Sequence, residues 1–88
     1  MKMNNVLKLM AEWQKQHDEP VDLFNRNQVK FFIEYDRWDD RFFIESNVGY
    51  IGFGVVYFSS KKMAQAFLEQ HEKDLRSFIQ TLKQKHKR

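Results

Sequence analysis

The side chains that most often carry catalysis or hold metals are few and scattered in this sequence. It contains no cysteine, and its three histidines, His17, His71 and His86, are not spaced as a metal-binding pair one helical turn apart. Ser59 and Ser60 lack the glycine-flanked elbow of a nucleophilic serine and are better placed to cap a helix. The residues therefore predict a protein with no catalytic activity, no cofactor, no metal and no small-molecule substrate.

An acidic turn is the next group of chemical interest. Asp36, Asp39 and Asp40 follow Glu34 closely, but they lack the spacing and the glycine of a calcium-binding loop. Aspartates at such places usually bond to the nearby backbone, which predicts a turn. Trp38 lies in the middle of it, where an indole either folds back over the sheet edge or anchors a partner. The sequence leaves these two alternatives open.

The C-terminal third is strongly basic. Residues 61–88 carry eight Lys or Arg and three Asp or Glu, a charge of +5, whereas residues 1–60 carry seven and nine, a charge of −2. Basic residues at a helix end can simply complement the helix dipole, or they can bind nucleic acid. For the second alternative, the predicted contacts are the tail 83–88 and two sheet residues: Lys83, Lys85, Lys87, Arg88, Lys30 and Arg41.

Length and composition indicate one small domain over residues 1–88, whose 88 residues include nine Phe, three Tyr and two Trp. This is more aromatic surface than one small core needs, which favours an interface. The longest apolar or glycine run, 50–58, is far shorter than the roughly 20 residues of a membrane span. The N-terminus has no signal-peptide pattern. We therefore expect a cytoplasmic protein without a membrane partner.

Two helices are predicted. Met3, Val6, Leu7, Met10 and Trp13 form one apolar helical face, which has to end before Pro20. A second apolar stripe predicts a long helix over 60–85, about 39 Å in length. A compact chain of this size is about 31 Å across. The end of the helix should therefore project, bind a partner, or follow a break in the helix.

Three strands are predicted between the helices, at 29–35, 41–46 and 50–58, because apolar residues alternate there and short polar turns separate them. Short turns join antiparallel neighbours. The predicted fold class is α+β, with the order α-β-β-β-α: an antiparallel three-stranded meander with the long C-terminal amphipathic helix across its core face.

Strand periodicity also assigns the two faces of this sheet. The face predicted to form the core carries Val29, Phe31, Ile33, Tyr35, Phe42, Ile44, Ile51, Phe53, Val55 and Tyr57. The opposite face mixes Phe32, Phe43 and Phe58 with Lys30 and Arg41, and it also carries Gly52 and Gly54. This face could stack nucleic-acid bases, or it could be covered by the first helix or by a second copy of the chain.

The stretch 56–64, an apolar strand end followed by Ser59, Ser60 and a helix start, resembles a join found in many small phage- and prophage-encoded proteins of unknown function. The resemblance covers about a tenth of the chain. It implies an origin and assigns no site.

Taken together, these patterns predict a non-enzymatic protein–protein interaction module, a small regulator or inhibitor of a protein target that also forms a homodimer. The alternative is a nucleic-acid-binding protein that uses the basic helix and the aromatic sheet face. The residues predicted to bind the partner are Trp38, Phe32, Phe43, Phe58, Phe78, Ile79 and Leu82.

Overall fold

The computed structural model describes residues 3–52 and 55–86 and contains two helices and two strands in the order α1 (Met3–His17), β1 (Lys30–Asp36), β2 (Arg41–Asn47) and α2 (Lys61–His86). Both predicted helices are confirmed. The predicted three-stranded meander is wrong: β1 and β2 form a two-stranded antiparallel sheet in a small α+β fold.

The first helix packs against the second through its apolar stripe. Val6 and Trp13 are buried in the core. The Trp13 indole N–H donates a hydrogen bond of 2.9 Å to the side-chain oxygen of Gln70 in α2. At the other end of the helix, the Asp18 carboxylate accepts hydrogen bonds from the backbone and the hydroxyl of Ser59. These bonds fix where α1 ends relative to the start of α2.

The second helix starts where the sequence places it. The Ser60 hydroxyl accepts a hydrogen bond from the Met63 N–H at 3.1 Å, which confirms a serine N-cap. The helix is not straight, because His71 adopts non-helical angles (φ −124°, ψ 17°) that kink it. Of the three outcomes predicted for this long helix, a break is therefore observed, at His71. The molecule as a whole measures 45 × 24 × 21 Å.

The described residues of the segment 50–58 form no third strand. Among them, only Phe58 pairs with the sheet, through two hydrogen bonds with Phe31 of 3.1 and 2.7 Å. The Gly52 N–H instead donates to the Tyr57 hydroxyl at 2.7 Å and has no partner in a strand ladder among the described residues. Glycine is a poor strand former, which favours the loss of strand structure around Gly52. The predicted positions Phe53 and Gly54 lie outside the described residues.

The pairing of Phe58 with Phe31 also corrects the predicted faces. Partners in a sheet place their side chains on the same face, so Phe58 joins Phe31 on the core side and Tyr57 lies with Phe32 on the outer side. The sequence-based assignment of Phe58 and Tyr57 was therefore off by one residue. Three further residues predicted for the core are exposed: Val29, Ile51 and Val55.

Candidate interaction surfaces

The tip of the β1–β2 hairpin presents an aromatic side chain to solvent. Trp38 lies in the four-residue turn between the strands and is 87% exposed. The Asp36 carboxylate accepts hydrogen bonds from the backbone N–H groups of Trp38 (2.9 Å) and Asp39 (3.3 Å). Such a bond pattern closes a turn locally. The backbone beneath the indole is therefore held in one shape, and the indole itself remains free to bind.

Asp40 ties this hairpin tip to α2. It has a left-handed backbone (φ 52°), which aspartate tolerates better than most residues. Its carboxylate accepts a 2.6 Å hydrogen bond from the Tyr35 hydroxyl. Arg76 donates to the same carboxylate at 3.4 Å and to the Asp40 backbone oxygen at 3.2 Å, and Lys83 lies 4.0 Å away. Two residues of α2 thus brace the turn that carries Trp38.

The same contacts shift two ionisation equilibria. The hydrogen bond from Tyr35 is the main cause that holds the pKa of Asp40 below its ordinary value, and Lys83 and Arg76 add to it. Conversely, the hydrogen bond to Asp40 raises the pKa of Tyr35, and the small desolvation of the hydroxyl adds to this. Both shifts favour the neutral phenol bonded to an ionised carboxylate, which is the state that braces the turn.

An apolar groove of about 270 Å³ forms a second surface. It lies between the hairpin and the helices. Residues 32–35 of β1 and Phe42 of β2 line it on the sheet side, Val55 and Val56 of the segment after β2 also line it, and the helices supply the remaining residues. The helix residues that line it are Val6, Leu7, Met10, Leu75, Phe78 and Ile79.

A third exposed apolar surface lies at the end of the hairpin away from Trp38. Phe24 is 87% exposed and Tyr50 is 81% exposed, and both line a shallow cavity together with Val48, Ile51 and Arg26. Phe24 is not among the residues predicted to bind a partner. An aromatic residue inside the polar stretch 18–27 was the signal that could have found it.

The structure separates the residues that were predicted to bind a partner. The Trp38 side chain is exposed to solvent, and Phe32 and Phe43 are half-buried on the outer face of the hairpin. Phe58 and Phe78 are buried in the core, so their prediction as contact residues is wrong. Ile79 and Leu82 pack against this core and are partly buried. The apolar residues near the end of α2, which were predicted to need a partner, therefore pack largely against their own chain.

The residues predicted to bind nucleic acid do not form one basic surface in the described part of the chain. Lys30 is only 1% exposed and faces loop carbonyls, which corrects its prediction as a surface contact. Arg41 lies within 4.0 Å of Asp36 and 3.9 Å of Asp39, and Lys83 lies near Asp40. Lys85 is in the last turn of α2, and Lys87 and Arg88 lie outside the described residues.

The described residues offer neither a cluster of metal ligands nor a membrane-spanning helix. Residues 3–52 and 55–86 contain no group of three or more potential metal ligands gathered in one place. Neither helix, as far as its residues are described, combines the length and the apolar character that crossing a membrane requires.

Comparisons with protein-family models, with curated proteins and with solved structures find no significant match.

Proposed function

We propose that this protein is a non-enzymatic protein–protein interaction module, a small regulator or inhibitor of a protein target, which binds through the hairpin tip that carries Trp38. The exposure of this indole on a braced turn is the observation that carries the proposal. Tryptophan is enriched at the residues that supply most of the binding energy in protein interfaces.

The bracing of the turn supports a role in binding. An isolated exposed indole on a flexible loop would have to lose conformational freedom when a partner binds, at a cost of affinity. Here Asp36 closes the turn and Arg76 holds Asp40, so much of this ordering exists before binding. Arg37 lies 5.7 Å from the Trp38 ring and adds a positive charge beside it. A partner with an apolar pocket and a nearby acidic group would complement this tip.

The nucleic-acid alternative has less support. Its predicted contacts include one buried lysine, Lys30, and two residues beside carboxylates, Arg41 and Lys83. A phosphate backbone would have to compete with these carboxylates for the same cations. We therefore retain the protein target as the proposed partner.

The proposal is tested by affinity capture from a lysate of the source organism with three immobilised forms of the protein: wild type, Trp38→Ala and Lys73→Ala. Lys73 is exposed on α2 and serves as the surface control. Loss of an interface hot spot costs about 2 kcal/mol or more, which is roughly a thirtyfold loss of affinity. We expect a protein that wild type and Lys73→Ala retain and Trp38→Ala does not. Equal capture by all three forms would contradict the assignment of the tip.

A further inference from the structure

The outer face of the hairpin alternates phenylalanine with glutamate. In the register of the two strands, Phe32 lies opposite Glu45, and Glu34 lies opposite Phe43. The strand residues that alternate with these four pack on the core, so the four side chains project to the side of the sheet away from the core. They form two phenylalanine–glutamate pairs about 7 Å apart along the strands, since an antiparallel strand rises about 3.4 Å per residue. We call this surface the Phe–Glu face.

The side chains of the Phe–Glu face are accessible in the folded chain. Glu34 and Glu45 are exposed, and Phe32 and Phe43 are half-buried. Tyr57 covers one side of Phe32, with the ring centres 5.8 Å apart and the ring planes nearly perpendicular. No described aromatic ring or cation stacks on Phe43. A partner can therefore reach both carboxylates and part of each phenylalanine.

The two glutamates are unmatched negative charges on a basic chain, whose net charge is +3. Neither forms an ion pair with a described residue. Nearer the turn, by contrast, Asp36 is paired with Arg41 at 4.0 Å. Lys30, the other cation on this side of the strands, is only 1% exposed and is bonded to loop carbonyls. The charge of the Phe–Glu face therefore favours a positively charged partner.

An arginine side chain fits each phenylalanine–glutamate pair. Its guanidinium is planar, stacks on aromatic rings and donates two parallel hydrogen bonds to a carboxylate. The opposite side chains of a pair are about 5 Å apart at their Cβ atoms, so one guanidinium can contact the ring and the carboxylate together. Arginines at alternate positions of an extended segment project to one side about 7 Å apart, which is also the spacing of the two pairs.

The same charges disfavour a second copy of this face as the occupant. Packing two Phe–Glu faces together would bring four carboxylates without ion-pair partners into one interface. Like charges placed across an interface oppose association. A basic segment of different sequence would neutralise these carboxylates.

We propose that the Phe–Glu face binds a basic segment of the partner protein, with one arginine of the segment over each phenylalanine–glutamate pair. This inference rests on the proposed function as a protein-binding module and names the chemistry of a second region of the partner. The Trp38 tip belongs to the same hairpin, so one partner can contact both surfaces.

The test uses a blocked peptide of glycine and serine that carries two arginines separated by one residue. It is titrated into isotope-labelled protein and followed by NMR. We expect the largest shifts at the amides of the Phe–Glu face, and about tenfold weaker binding to Glu34→Gln/Glu45→Gln, because both ion pairs are lost. Shifts that are centred elsewhere on the protein would overturn the inference.

A matched double variant controls for net charge. Glu12→Gln/Glu19→Gln removes the same charge from two exposed glutamates that also form no ion pair with a described residue. It should bind the arginine peptide as wild type does. Equal weakening by the two double variants would show attraction by net charge alone and would overturn the inference.

Two further peptides test the choice of arginine and its spacing. A peptide with lysines in place of the arginines should bind wild type about threefold more weakly, because lysine lacks the planar fork. A peptide with adjacent arginines, which project to opposite sides of an extended segment, should also bind more weakly. Phe43→Leu should reduce the difference between arginine and lysine, because leucine offers no ring. Equal affinity of wild type for all three peptides would overturn the assignment of arginine, whether or not Phe43→Leu folds.

NMR spectra without peptide, recorded over a range of protein concentrations, test a second copy as the occupant. The amides of Phe43 and Glu45 should not shift with protein concentration. Concentration-dependent shifts at these two amides would identify another copy of the chain on this face and would overturn the proposal.

The Trp38→Ala variant separates this inference from the proposed function. It should bind the arginine peptide as wild type does, because Trp38 is exposed and its described ring contact is with Arg37. Peptide binding that fails while Trp38-dependent capture succeeds would overturn the Phe–Glu site alone. Peptide binding that succeeds while capture is insensitive to Trp38 would overturn the role of the tip alone.

Discussion

Lys30 is a charged residue that stabilises the fold and is not exposed for binding a ligand. Its ammonium group donates hydrogen bonds to the backbone oxygens of Asn25 (3.1 Å) and Gln28 (3.0 Å), and its stem is buried at the start of β1. Burying an ammonium is costly unless its protons are bonded. These two bonds offset part of that cost and hold the loop before β1 against the sheet.

Replacing Lys30 with alanine should lower the free energy of unfolding by about 1–3 kcal/mol, because two carbonyl groups lose their donor and the buried stem is removed. Urea denaturation followed by circular dichroism measures this change. Lys73→Ala is the control, since an exposed lysine should contribute less than about 0.5 kcal/mol. Equal stability of the two variants would show that the Lys30 bonds do not hold the loop.

The Tyr35–Asp40 hydrogen bond should make the hairpin tip sensitive to pH at both extremes. The pKa of Asp40 is lowered from 3.8, so its contribution to stability is present above pH 3.8 and is lost as the pH falls through the lowered value. The pKa of Tyr35 is raised from 10.0, so its contribution is present below pH 10.0 and is lost as the pH rises through the raised value. Tyr35→Phe should remove the alkaline effect and weaken the acid one, because Lys83 and Arg76 still lower the pKa of Asp40.

Carboxyl-carbon NMR titration checks this prediction. In Tyr35→Phe, the pKa of Asp40 should rise toward 3.8 because its largest stabilising contact is gone. Tyr50→Phe is the control, since Tyr50 is 81% exposed and lies at the other end of the hairpin. An Asp40 pKa that is the same in wild type and in both variants would show that the hydrogen bond does not form in solution.

At the scale of the elements, α2 organises the molecule. Its buried residues Phe67, Leu68, Leu75 and Phe78 form much of the core, and Phe67 packs within 5.6 Å of the ring centres of both Trp13 and Phe58. Phe67, Leu75 and Phe78 are all buried in this core. This helix joins α1 and the hairpin into one body.

Replacing Phe67 with alanine should therefore cost about 3–5 kcal/mol of stability, because Phe67 is fully buried and the cavity left behind would touch both α1 and the sheet side. Thermal unfolding measures the loss. Phe24→Ala removes the same side chain from an 87% exposed position and should change stability by less than about 0.5 kcal/mol. A near-neutral Phe67→Ala would mean that α2 presents a different face to the core.

At the scale of the whole molecule, the homodimer stays a prediction, but the end of α2 no longer supplies the apolar surface for it. The α2 stripe that first motivated it is largely covered by the chain itself, since Phe78 is buried and Ile79 and Leu82 pack on the core. The exposed apolar residues that could still support a dimer are at the far end of the hairpin, where Phe24 and Tyr50 lie. An isologous contact there would bury both aromatic rings.

Light scattering over a range of protein concentrations tests the dimer. Wild type should approach twice the chain mass of 10.8 kDa as concentration rises, and Phe24→Ser should shift this transition to higher concentration. The exposed Lys73→Ala variant is expected to behave as wild type. A constant mass of 10.8 kDa at all concentrations would rule out self-association.

The sequence by itself determined the two helices, the β1–β2 hairpin and the residues of the α2 stripe. Each follows from local signals: apolar residues at helical spacing, a serine cap at Ser60, alternation along the strands and an aspartate-rich turn. Such signals act within a few residues of one another. The sequence also selected Trp38, because an indole inside a polar turn is unusual wherever the turn lies.

Only the tertiary structure decided the third segment, the faces of Phe58 and Tyr57, and the burial of Lys30. The apolar alternation of 50–58 fits a strand, but a strand needs a partner along its length, and among the described residues of this segment only Phe58 pairs with β1. A single pair, Phe31 with Phe58, then sets which face each residue occupies. The contacts that matter here join residues far apart in sequence, such as Asp18 with Ser59 and Asp40 with Arg76. No local pattern encodes such contacts, because they exist only once the elements have packed.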